Sequence, residues 1–147
     1  MIGFLLLTRN IEEFDMNESI SGQCHCGSIQ WTAMLPHKCA LNCHCNMCRS
    51  LSGADYSSWI VIPSEQFSIL LGHEYVTEYQ ATESFSKSFC KKCGSTVNCI
   101  NDDKFPNHIY IAKGNVSTHF DIPAEIQVFT KFKADWVEVD KDIPIFN

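Results

Sequence analysis

Three short runs concentrate the sulfur of this chain: Cys24-His25-Cys26-Gly27, Cys43-His44-Cys45-Asn46-Met47-Cys48-Arg49 and Cys90-Lys91-Lys92-Cys93-Gly94. Thiols so close along a chain have two chemistries open to them, oxidation to disulfides or binding of a soft metal ion. A disulfide between Cys24 and Cys26, or between Cys43 and Cys45, would be severely strained, whereas one ion readily takes two thiolates from a single turn. Tetrahedral zinc suits such ligands, and the recurrence of the pattern in three runs makes the signal specific.

A local asymmetry sorts the runs. Cys26 and Cys93 are each followed by glycine, which accepts the positive φ that turns backbone N–H groups toward the sulfurs. Cys24, Cys26, Cys90 and Cys93 are therefore expected to face one another around a structural zinc, closing a long loop. Cys43, Cys45 and Cys48 remain. Three ligands leave a fourth position for water or substrate, the arrangement of a catalytic zinc, unless Cys39 supplies a fourth sulfur and closes the site. The chain is thus expected to hold two zinc ions.

His25 and His44 each lie between converging cysteines and are read as non-ligands. His44 has two readings, a proton carrier at the rim of the open site or a plain surface residue. His37, His73, His108 and His119 are isolated and read as structural, and Cys99 as buried filling. Arg49, Lys91 and Lys92 beside the cysteines are candidates for gripping a small anion, with solvated surface charge the alternative for the lysines.

Strand-like runs must position these clusters. The alternation Ile-Gln-Trp-Thr-Ala from Ile29 has the period of a half-buried strand. Aromatic and β-branched residues dominate Tyr56 to Ile62, Phe67 to Leu71, Tyr75 to Gln80, Phe85 to Phe89, Thr96 to Ile100, Ile109 to Ala112 and Ile126 to Phe132. Cys45 to Leu51 alone reads as helix. The expected class is mainly β with one or two short helices, in a single domain over 16–147 preceded by a loose extension over 1–15.

Composition bounds the partners. The 147 residues carry a formal net charge of -6, which disfavours nucleic acid and anionic membrane as partners. Nine cysteines without an export signal point to a reducing, cytoplasmic setting. No run approaches the length of a membrane span. The oligomeric state is not legible.

The runs Gly22-Gln-Cys-His-Cys-Gly, Asn42-Cys-His-Cys-Asn-Met-Cys-Arg and Phe89-Cys-Lys-Lys-Cys-Gly-Ser, with Trp136 and a closing Ile143-Pro144-Ile145-Phe146, resemble the glutathione-dependent formaldehyde-activating enzyme family, which includes centromere protein V. The resemblance runs from about Gly22 to Phe146. It implies a β-tent, antiparallel sheets pinned by zinc, with a structural zinc at Cys24, Cys26, Cys90 and Cys93 and a catalytic zinc at Cys43, Cys45 and Cys48. One departure is Asn115-Val116-Ser117 after Lys113-Gly114, where the family usually carries Leu-Asp.

The implied activity is that of a carbon–sulfur lyase acting on the adduct of a glutathione-like thiol with a small carbonyl such as formaldehyde; for such a thiol Arg49, with Lys91 and Lys92, is a candidate to contact a carboxylate. Metal coordination holds such a thiol as its nucleophilic thiolate. The alternative is a non-catalytic zinc-pinned binding module, whose signature would be a closed second site. A reductase would need a lone reactive thiol, for which only Cys39 and Cys99 are available.

Overall fold

A computed structural model describes residues 18–147; the extension expected over 1–15 lies outside them. In chain order the elements are β1 (Ser19–Gln23), β2 (Gln30–Met34), β3 (Cys39–Cys43), α1 (Asn46–Ser52), β4 (Ser57–Pro63), β5 (Phe67–Leu71), β6 (Val76–Gln80), β7 (Phe85–Cys90), β8 (Thr96–Asn101), β9 (His108–Ala112), β10 (Ile126–Val128) and β11 (Ile145–Phe146). The protein is mainly β, as expected. A three-stranded sheet runs β1-β2-β5, and an eight-stranded sheet runs β11-β10-β3-β4-β9-β8-β7-β6. Pairings are antiparallel except at one edge, where β10 lies parallel to both β3 and β11.

Both faces of the larger sheet are covered at its centre, which explains the unbroken apolar run Trp59-Ile-Val-Ile in β4. Ile60 and Ile62, with Ile109 and Ile111 of β9, pack on Ile20, Trp31 and Ala33 of the smaller sheet. Trp59, Val61 and Tyr110 point the other way, toward Leu41, Cys43 and Phe85. A register shift between Ser88 and Phe89 marks a bulge opposite them in β8. It explains how Val97 joins the first core and Cys99 the second despite their even spacing.

The expected run Ile126 to Phe132 is shorter in the fold. The strand stops at Val128 because Phe129 takes a left-handed backbone, φ 56°, and Thr130 to Phe132 form a 3-10 turn. Strands β1, β3 and β11 carried no clear sequence signal. Glycine and serine dilute β1, β3 is half built from the cysteine run, and β11 has only two residues.

Candidate functional site

The sulfurs of Cys24, Cys26, Cys90 and Cys93 lie within 4.8 Å of one another. Cys24 Sγ is 3.6 Å from Cys26 Sγ, which is 3.8 Å from Cys90 Sγ. Zinc–sulfur bonds of ~2.3 Å give a tetrahedron with edges of about 3.8 Å, so this donor set fits zinc. The two turns are built alike. Gly27, φ 77°, and Gly94, φ 81°, donate their N–H groups to the carbonyls of Cys24 at 3.0 Å and Cys90 at 2.7 Å. Ser28 Oγ lies 3.3 Å from Cys26 Sγ, and Ser95 Oγ lies 3.2 Å from Cys93 Sγ. Hydrogen bonding from Ser95, side chain then backbone, pulls the Cys93 thiol down to about 5, and Ser28 lowers Cys26 in the same way. These donors favour the thiolates that a metal requires. The cluster joins the end of β1 to the end of β7 and so ties the small sheet to the large one.

Cys43, Cys45 and Cys48 also gather their sulfurs within 4.8 Å. Cys43 ends β3, and Cys45 caps α1, its sulfur accepting the Cys48 N–H at 3.2 Å. Gly53, φ 70°, closes that helix. Hydrogen bonds from Cys43 and Cys48 pull the Cys45 thiol down to about 2. The contact with Cys45 pushes Cys43 up to about 12, and the contacts with Cys43 and then Cys45 drive Cys48 far higher, with burial adding to both. Left alone, the trio therefore ionises once. A dication is what would let all three become thiolates, so this donor set also fits zinc. Cys39 begins the strand that Cys43 ends, about 13 Å away along it, and does not join the group.

The trio forms one wall of a cavity of about 530 Å³. Leu41, Trp59, Phe85, Phe105, Phe129 and Tyr110 supply most of the rest. Burial raises the Tyr110 phenol, which therefore stays protonated at neutral pH. Lys104, exposed and 5.5 Å above the Phe129 ring, is the cation of the lining. Lys104 and Tyr110 escaped the sequence reading. Tyr110 sits unremarked in an apolar strand, and Lys104 in a loop with no motif.

The structure places several expected residues elsewhere. Arg49 does not line this cavity. Its Nη1 donates to the Phe132 carbonyl at 3.1 Å, and its guanidinium lies 5.9 Å from the Trp136 ring centre in a separate groove. Lys91 and Lys92 lie over the Tyr75 ring, away from the cavity. His44 is neither at a rim nor on the surface but buried, with Nε2 2.7 Å from Gln127 Oε1, its backbone N–H donating to Val128 O at 3.0 Å and its ring 5.0 Å from Tyr56. The cause is β10, which lies alongside β3 and covers it. His37 pairs with Glu125 at 2.7 Å, and Cys99 is buried as expected.

Comparison with known proteins adds two findings. The sequence model of the glutathione-dependent formaldehyde-activating enzyme family matches residues 19–132. A crystal structure of a Rhodobacter sphaeroides protein, solved as a structural-genomics target, superposes with a TM-score of 0.60 at 17% identity, covering 85% of this chain and 98% of that one. At that identity the likeness shows the fold alone. No helix among the described residues is long and apolar enough to cross a membrane.

Proposed function

The chain belongs to the glutathione-dependent formaldehyde-activating enzyme family, and we propose that it is a zinc-dependent carbon–sulfur lyase acting on the adduct of a glutathione-like thiol with a small carbonyl such as formaldehyde. One observation carries the reading: three convergent thiols with no fourth His, Cys, Asp or Glu beside them among the described residues, opening on a cavity large enough for a small molecule. In this reading Cys24, Cys26, Cys90 and Cys93 hold a structural zinc, and Cys43, Cys45 and Cys48 hold a second one. When bound there, zinc supplies the charge that keeps a substrate sulfur as thiolate.

The protein's own groups account for the rest. In the cleavage direction the carbon–sulfur bond breaks, the hydroxyl of the adduct becomes the carbonyl, and its proton passes to the sulfur. Tyr110, held protonated by burial, can donate a hydrogen bond to that oxygen and so steady the charge that develops on it. The mostly apolar walls lower the local dielectric and strengthen such contacts. Lys104 at the rim is placed to meet a carboxylate of the thiol, the role that sequence gave to Arg49.

The non-catalytic module requires a closed second site, which the position of Cys39 disfavours. Cobalt substitution tests the reading. Glutathione should shift the absorption of the cobalt protein toward a four-sulfur spectrum, and Cys45→Ser should abolish the response. A wild-type spectrum that ignores glutathione but changes with Cys39→Ser would refute it.

A further inference from the structure

The cavity beside Cys43, Cys45 and Cys48 does not match a one-carbon carbonyl. Formaldehyde occupies about the 30 Å³ of one water molecule, whereas the cavity measures about 530 Å³. Glutathione does not account for the difference either. Its two carboxylates, ammonium and two amides need polar partners, and burying them unpaired is costly. Apart from the thiols, the polar side chains of the lining are Asn101, Lys104, Tyr110 and Asn147, with the indole N–H of Trp59. Lys104 and Asn147 are exposed at the rim, and Asn101 turns a buried Oδ1 to no partner. The polar ends of glutathione therefore belong at the rim, beside Lys104.

What remains inside is an aromatic enclosure. Phe105 lies 6.1 Å from Tyr110, which meets Trp59 edge-on at 6.3 Å, and Phe85 and Phe129 complete the walls. Rings at these spacings favour a further ring placed among them. Resting on the lyase reading above, we propose that, among the carbonyls the site accepts, the preferred partner is an aldehyde bearing a bulky apolar, preferably aromatic, substituent that fills this enclosure. The reaction balances without a further reagent. The thiol sulfur bonds to the aldehyde carbon, the carbonyl π bond becomes a hydroxyl, and the thiol proton ends on that oxygen; cleavage is the reverse.

The test compares the zinc-loaded enzyme with glutathione and either formaldehyde or phenylacetaldehyde, following adduct exchange by NMR above the uncatalysed background. The expected kcat/KM for phenylacetaldehyde is at least ~10-fold higher, the discrimination a few methylene-sized contacts supply in an apolar pocket. Phe105→Ala, at a half-buried loop position, should bring the ratio toward one. Catalysis that favours formaldehyde would overturn this proposal and leave the lyase reading standing. Catalysis of neither aldehyde, with a cobalt spectrum indifferent to glutathione, would overturn both.

Discussion

The two thiolate clusters should differ in what they hold together, and replacing one ligand in each measures that difference. Cys26 and Cys90 are 64 residues apart, so an ion bound between their turns would close a long loop. By the chain-entropy relation for cross-links, that closure is worth about 4 kcal/mol. The three ligands of the second cluster, Cys43 to Cys48, span a single turn, and the same relation gives about 2 kcal/mol. Cys93→Ser should therefore lower Tm by roughly 15 °C or leave no folded protein, since a domain of this size holds only about 5 to 15 kcal/mol. Cys45→Ser should lower it by roughly 6 °C.

Serine suits this comparison. At Cys45 it is also a favoured helix cap, so it can still accept the Cys48 N–H while the soft ligand is lost. Thermal melts followed by circular dichroism, with zinc per chain measured by atomic emission, would read both effects. Each variant should retain the ion of the other cluster if it folds. Equal losses, or a larger loss for Cys45→Ser, would refute the loop argument and with it the structural role of the first cluster.

Four further outcomes follow from particular side chains. His44→Ala leaves Gln127 buried without its 2.7 Å partner and should cost about 1 to 3 kcal/mol by denaturant titration; the cobalt spectrum of the second site should also shift, because the turn between Cys43 and Cys45 loses its side-chain anchor to β10 and keeps only the backbone bond to Val128. Lys104→Ala changes an exposed side chain, so stability should move by less than about 0.5 kcal/mol, while KM for glutathione rises on the order of tenfold. Arg49→Ala should do the reverse, lowering stability through the lost Phe132 and Trp136 contacts without raising KM. Burial pushes the Cys99 thiol up to about 12 from 9.0. The folded value lies above the unfolded one, so its contribution is full below pH 9.0 and is lost as pH rises toward about 12. Denaturation midpoints should fall over that window, and less steeply in Cys99→Ala.

Much of the framework was legible along the chain because its causes are local. A chelating turn is set by residues one to three apart, and glycine at position 27 or 94 reports a positive φ that no distant contact is needed to explain. Strand periods are local too, and most of the expected strands appear within a residue or two of their bounds. Tertiary structure alone decided the rest. The cavity takes its walls from residues between Leu41 and Asn147, and its volume depends on how the strands pair, which no sequence window records. The parallel placement of β10 on β3 buried His44, whose neighbours in sequence gave no sign of it. Arg49 follows Cys48 in sequence, yet Met47 and Cys48 face the cavity while Asn46, Arg49 and Ser50 face another groove. A helix advances about 100° per residue, so neighbours in sequence need not share a face.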